Sequence, residues 1–270
     1  MTHLNLCFPE WQGYAESNSV FFGALEIQQA LHAHHEFTLI EVPEKEDLFL
    51  EKDIMGYQAN LRQLKATAQC ISQVEPDSIF MIGGTCASEI APVSYLNKKF
   101  DGNLTVIWFD AHGDLNTPQT SPSKHFHGMP LRALLGECDT QILQQSFSLL
   151  HPDQVILAGT RDLDPEETNY IDSHDITLVP VASMEEVLTQ LERRASKNVY
   201  LHIDLDVLDP AEFPHLLYQV PNGASVGQLT ELVTAIHDQF SVVGSSLVEY
   251  VPRNETAIND LQKLIAALGI

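Results

Sequence analysis

Basic residues are scarce in this chain: 14 Lys and Arg stand against 37 Asp and Glu, a formal charge of −23 over 270 residues. Such a field repels phosphate backbones and anionic lipid faces, so no nucleic-acid or membrane partner is expected. Long apolar runs are missing too. No stretch reaches the roughly 18 residues of a membrane span, and MTHLNLCFPEWQ lacks the basic-then-apolar order of a secretory leader. Cysteine is sparse: Cys7, Cys70, Cys86 and Cys138 are scattered, with no CxxC pair. Neither a disulfide framework nor a structural zinc site is expected, and the chain reads as cytoplasmic with reduced thiols. Disorder is excluded in turn, because 44% of residues are hydrophobic and only 19% charged.

What is present is alternation. Short apolar, β-branched runs at 3–8, 37–43, 78–83, 104–109, 154–159, 176–181, 198–206 and 241–248 predict strands. Several are apolar on both faces, as strands covered by helices on each side must be. Helical patterns fall at 56–74, 87–97, 165–173, 183–195, 227–239 and 256–268. The order predicts an α/β chain: one three-layer domain over 1–270, with a doubly wound, mostly parallel sheet of about eight strands. In such sheets chemistry sits beyond the carboxyl ends of the strands.

Two strand ends are loaded with acids. After VIWF comes Asp110-Ala111-His112-Gly113-Asp114, and HIDLD ends in Asp204-Leu205-Asp206, followed by Asp209-Pro210. A spacing of two puts Asp110 with His112, and Asp204 with Asp206, on one face. Any one of these acids reads equally as a solvated loop residue or a helix cap. Four at the ends of two core strands repel one another unless a cation neutralises them. Carboxylates with an imidazole suit a hard-to-borderline divalent ion such as Mn²⁺. Asp209 reads as a residue that fixes the loop, since Pro210 turns the chain away.

These segments, with Gly83-Gly84-Thr85-Cys86, resemble in order the signatures of the ureohydrolases, the arginase, agmatinase and formimidoylglutamase superfamily. The likeness runs from about residue 78 to 252. It implies an eight-stranded parallel sheet and a pair of Mn²⁺ ions whose bridging hydroxide attacks a guanidinium carbon to release urea. It also implies that Asp110 and Asp204 bridge both metals, Asp114 binds the first, and His112 and Asp206 bind the second. Cys86 would occupy the first metal's remaining ligand position. The chemistry is independently sensible, because a resonance-stabilised guanidinium is a poor electrophile for neutral water.

Here the chain departs from the pattern. The resemblance calls for Asp and His where Thr85 and Cys86 stand. A soft sulfur ligand should weaken the first metal site. A Cys there also resembles a subgroup that includes hydroxyarginine hydrolases, although a small inert residue at a strand end is an alternative reading. His202, on the face of Asp204 and Asp206, stays open as a satisfied core histidine, a support for a ligand, or a substitute ligand.

The loop from Asn116 to Pro130 resembles the arginase form, which assigns Asn116, Ser121 and Ser123 to a substrate α-carboxylate; by composition alone it is a Ser/Pro turn. Lys124 and His125 depart from that form and would put two potentially cationic groups beside the carboxylate site. His127 matches a proton-shuttle histidine, a role suited to an imidazole's titration range. Asp164 and Glu167 match the acids that receive an α-ammonium, and they equally read as a helix start with Pro165 at its first position. Glu249 matches the guanidinium partner. His127, Glu249 and Asp114 are thus the candidate catalytic set.

The expected function is Mn²⁺-dependent hydrolysis of a linear, small-molecule guanidino compound, first L-arginine, to urea and an amine. The alternatives are an N-hydroxyarginine-type hydroxyguanidine, a non-catalytic arginase-like binding subunit and, more remotely, amine deacetylation. A homo-oligomer, trimer or hexamer, follows from the resemblance alone.

Overall fold

The computed structural model describes residues 2–254 and 257–269. Eight strands form one sheet: β1 (His3–Phe8), β2 (Thr38–Leu39), β5 (Ser78–Gly83), β6 (Thr105–Phe109), β7 (Val155–Ala158), β8 (Thr177–Val179), β9 (Asn198–Asp204) and β10 (Ser241–Val248). The order is β2-β1-β5-β10-β9-β6-β7-β8, and every pairing is parallel. A two-residue hairpin, β3 (Leu50–Glu51) with β4 (Ile54–Met55), stands apart. All eight expected strands are found, several shorter than expected. The largest change is at β2, two residues where seven were expected; at the site, β9 stops at Asp204, so that Asp206 falls in the following 3-10 turn.

Strand alternation divides the core in two. Val106 and Trp108 of β6 enter one apolar cluster and Ile107 and Phe109 the other. The first cluster is closed by α2 (Tyr57–Val74), α3 (Ile90–Lys99), α4 (Pro130–Leu134), α5 (Thr140–Leu143) and α6 (Pro165–Ser173). The second is closed by α1 (Ser19–Leu31), α7 (Glu186–Arg193), α8 (Val226–Gln239) and α9 (Ala257–Ala267). Burial on both faces is why β6 needs TVIWF, five buried residues in a row. Of the helix expected over 256–268, Thr256 lies outside the described residues. The helices α1, α4 and α5 have no counterpart in the sequence-based expectation. No helix among the described residues is long and apolar enough to cross a membrane.

The strand order positions the site. On one side the chain steps out from β1 to the edge strand β2 and back inside to β5; on the other it builds outward from β6 through β8. β9 and β10 then return to fill the gap between β5 and β6. That reversal is where the carboxyl ends of an open α/β sheet part to form a crevice.

Candidate metal centre and adjoining cavity

Four neighbouring strands, β5, β10, β9 and β6, deliver the acids to one place. Asp110 follows β6 directly, and its Oδ1 accepts the His112 N–H at 2.6 Å, which turns the chain toward Asp114. Asp204 ends β9 and accepts the Asp206 N–H at 2.7 Å, while Asp206 accepts the Ala111 N–H at 3.0 Å and ties the two loops together. Asp114 and Glu249 are held in the left-handed backbone region, at φ 52° and 61°. Non-glycine residues there are strained, and they persist where the surroundings over-determine them. At the end of β5 the chain passes so close to Glu10 that a Cβ on Gly84 would lie 1.8 Å from its carbonyl oxygen.

The side chains form three overlapping groups whose candidate ligand atoms lie within 4.8 Å of one another: Cys86, Asp110, Asp114 and His202; Cys86, Asp204 and Glu249; and Asp110, His112 and Asp206. His112 Nδ1 is 2.9 Å from Asp206 Oδ2 and 3.4 Å from Asp110 Oδ1. The Cys86 thiol donates to Asp204 Oδ2 at 3.0 Å. The electrostatics are those of a cluster built for positive charge. Burial, then the Asp110 charge, pushes Asp114 far above the carboxylate range. Burial and Asp206 do the same to Asp204, and Asp206 itself rises to about 6 through burial and Asp110. Burial raises Asp110 as well, but His112 and His202 outweigh it and hold this one carboxyl below its usual value. Burial lowers His112, yet the charge of Asp206 and contacts with Asp110 and Asp206 drive it well above an ordinary histidine. Asp114 Oδ2 is buried without a hydrogen-bond partner among the described residues, and Asp206 Oδ2 meets the His112 imidazole. A carboxylate oxygen left without a partner, among further buried carboxylates and an imidazole, belongs to a donor set that fits a hard-to-borderline divalent cation.

A cavity of about 210 Å³ opens above this floor. His127 Nδ1 is 2.8 Å from Glu249 Oε1, and both line it. On the rim, Asn116 Nδ2 donates to Asp164 Oδ2 at 2.8 Å, and Asn116 Oδ1 accepts from the Thr120 hydroxyl at 2.8 Å. Glu167 accepts the Leu115 N–H at 2.9 Å and the Asp164 N–H at 3.0 Å, so the expected helix start at α6 is also the wall of the cavity. Ser121 and Ser123 accept the N–H groups of Lys124 and His125. The expected cationic pair is not brought to the cavity. Lys124 Nζ turns to the Pro118 carbonyl at 2.7 Å and toward Asp53, and His125 is buried beside Tyr14. Asp209 does fix its loop, accepting from Ala211 N at 2.9 Å and Gly223 N at 3.1 Å.

The sequence profile of the arginase family matches residues 13–268. The chain belongs to the arginase family. It is 35% identical over 198 residues to an arginase of Staphylococcus aureus (strain MRSA252), an overlap covering 70% of this chain and 65% of that protein. It is 30% identical over 242 residues to the arginase of Bacillus subtilis (strain 168), covering 83% and 81%. Among solved structures, Entamoeba histolytica arginase in complex with L-ornithine superposes with a TM-score of 0.89 at 21% identity, covering 99% and 98% of the two chains. Formimidoylglutamase from Bacillus subtilis subsp. subtilis (strain 168) reaches 0.73 at 20% identity, covering 99% of this chain and 86% of the other.

Within this family fold, sequence reasoning passed over several residues. Glu10, buried after β1, accepts from the Thr85 hydroxyl and the Gly13 N–H, and burial raises it to about 7. Its position beyond the carboxyl end of a strand was the available signal. Tyr218 stacks on His127 with ring centroids 5.7 Å apart, and Tyr14 packs edge-on at 5.5 Å. Glu89, three residues after Cys86, is fully buried.

Proposed function

We propose that this chain is a metal-dependent amidinohydrolase that cleaves L-arginine to urea and an amine with two Mn²⁺ ions bound. The observation that carries the reading is the nested set of buried carboxylates around Asp110 and Asp204, directly beneath a cavity walled by further acids. Asp110, Asp114, Asp204 and Asp206 with His112 would hold the ions, and Cys86 stands at the remaining corner of the first. Bound there, the pair would supply the Lewis acidity that makes water a useful nucleophile near neutral pH.

The remaining steps belong to side chains. Glu249, presented beside Cys86 and His127, accepts hydrogen bonds from the guanidinium and fixes its plane. Asn116, Ser121 and Ser123 donate to the α-carboxylate, and Asp164 and Glu167 face the α-ammonium. His127, oriented by Glu249, gives a proton to the departing amine as the C–N bond breaks. Tyr14 and Tyr218 pack around its ring and restrict water. Placement in the cytoplasm and assembly into a homo-oligomer belong to the same reading, through the family resemblance, as does treatment of 1–270 as one domain.

The test is urea release from L-arginine, N-hydroxyarginine, agmatine and guanidino acids with added Mn²⁺. Turnover of the two amino acids and not of agmatine supports the reading. No turnover of any member, with no metal retained, overturns it in favour of a binding subunit. Cys86 lines the cavity and gives the hydroxyguanidine its standing as second reading; preference for N-hydroxyarginine in the same panel would select it.

A further inference from the structure

His202 is wholly buried on β9, its ring stacked on the Trp108 indole with centroids 3.6 Å apart and planes 22° from parallel. Nδ1 lies 3.1 Å from Glu89 Oε1, and Nε2 lies 3.6 Å from Asp110 Oδ2. Neither ring nitrogen completes a well-formed hydrogen bond among the described residues. Burying an imidazole and a glutamate together is expensive unless each is fully used. Glu89 is committed on its other oxygen, which accepts from the Tyr200 hydroxyl at 2.7 Å. It therefore offers Oε1 to His202 from a fixed position.

We infer that His202 Nε2 supplies the nitrogen donor that the first metal position lacks where Cys86 stands, with Glu89 as the positioning residue that orients the ring through Nδ1. The inference rests on the bound-metal reading above. Three observations carry it. A ring nitrogen of His202 belongs to the same 4.8 Å group as Cys86, Asp110 and Asp114. The carboxylate behind it comes from Cys86-Ala87-Ser88-Glu89, the same turn in which the expected imidazole is missing. The Cys86 sulfur, meanwhile, is hydrogen-bonded to Asp204 and is the wrong hardness for Mn²⁺. A histidine whose far nitrogen donates to a carboxylate has its tautomer fixed and its near nitrogen made more basic. Any proton on Nε2 leaves to solvent as the cation binds. The loss at position 86 is then a relocation of the donor from β5 to β9, two strands away across the same crevice.

The experiment measures Mn²⁺ per chain after gel filtration and the two dissociation constants by calorimetry, for the full chain and for His202→Asn, Glu89→Gln and Cys86→Ser. Two ions in the wild type and in Cys86→Ser, one in His202→Asn, and a first site weakened about 10- to 100-fold in Glu89→Gln support the inference. The ion retained on the His112 side of His202→Asn, with an unchanged circular dichroism spectrum, reports that the variant is folded. If it does not fold, the Glu89→Gln affinity decides alone, and a wild-type value overturns the inference. Two ions bound with wild-type affinity by His202→Asn overturn it while leaving the bound-metal reading intact. Loss of the first ion in Cys86→Ser, or a thiolate-to-metal charge-transfer band in the Co²⁺-loaded wild type, overturns it in favour of sulfur. A wild type that binds no metal removes both readings together.

Discussion

The floor and the rim of the cavity are both acidic, yet they are finished to different degrees. On the rim the substrate-facing acids already have partners: Asn116 holds Asp164, and Glu167 accepts two backbone N–H groups. On the floor, Asp114 keeps a bare oxygen, and three of the four aspartates lie above their ordinary titration range. A folded protein tolerates unpaired buried carboxylates only where something else neutralises them. On the proposed reading the difference teaches that the rim is shaped by the polypeptide alone, whereas the floor would be completed by an ion. Substitutions on the floor should therefore abolish chemistry, and substitutions on the rim should only loosen binding.

The largest expected effect is at the centre of the floor. Asp204→Asn removes the carboxylate that meets the Cys86 thiol and the Asp206 N–H, and turnover should fall by about 10⁴-fold, or more than 5 kcal/mol of transition-state stabilisation. Without metal the same variant should melt higher than the wild type, because a repulsive carboxylate has gone. Metal-free melting temperatures check the second half. A lower melting point for the variant would mean that the acids are stabilised by the protein itself, and the contrast between floor and rim would collapse.

His127 stands between the two regions, lining the cavity with its Nδ1 on Glu249. His127→Asn should lower kcat by about 10² to 10³-fold through loss of the proton donor while leaving Mn²⁺ stoichiometry unchanged. Equal loss of metal and turnover would move this residue into the floor.

Glu10 sharpens the comparison from beneath. Burial raises its carboxyl from 4.5 to about 7. A glutamate with a folded value above its unfolded one favours the protonated native state. Its contribution to stability is complete below pH 4.5 and is lost as pH rises through 7. Over that window the metal-free wild type should lose on the order of 3 kcal/mol from this group. Glu10→Gln, which keeps an oxygen for the Gly13 N–H and turns a donor amide to the Thr85 hydroxyl, should flatten the slope. Chemical denaturation at pH 5 and pH 7.5 in chelator measures it, and an unchanged slope in the variant would assign the pH dependence to other acids.

Legibility in the sequence follows the same division in a different way. The aspartate motifs could be read because each is local: Asp110, His112 and Asp114 come from one loop, Asp204 and Asp206 from another, and both loops follow apolar runs that can only be buried strands. The eight strands were legible for that reason, and α6 because Asp164-Pro165-Glu166-Glu167 is a complete start signal. The hidden partners are those made by strand order. Glu10 meets Thr85 only because β1 lies beside β5, and Glu89 meets His202 only because β10 and β9 return to the middle of the sheet. Helix α1 was invisible for a local reason, since Asn18 makes no side-chain cap and its first turn, Ser19-Val20-Phe21-Phe22, is rich in β-branched and aromatic residues. Lys124 shows the reverse error: its charge suggested a role that a left-handed backbone, φ 63°, turns away from the cavity.

The smallest effect tests the rim directly. Asn116 touches no candidate metal ligand among the residues it bonds; its amide joins Asp164 to Thr120. Asn116→Ala should remove one hydrogen bond to the substrate α-carboxylate and leave Asp164 less firmly held. That loss is about 1.4 kcal/mol, felt equally in ground and transition states, so KM should rise about tenfold with kcat nearly constant. Agmatine lacks the carboxylate, and its binding as a competitor should be insensitive to the change. A fall in kcat for arginine with unchanged KM would mean that the rim positions the guanidinium for reaction and is not a passive clasp. The boundary between the two regions would then lie above Asn116 and not beneath it.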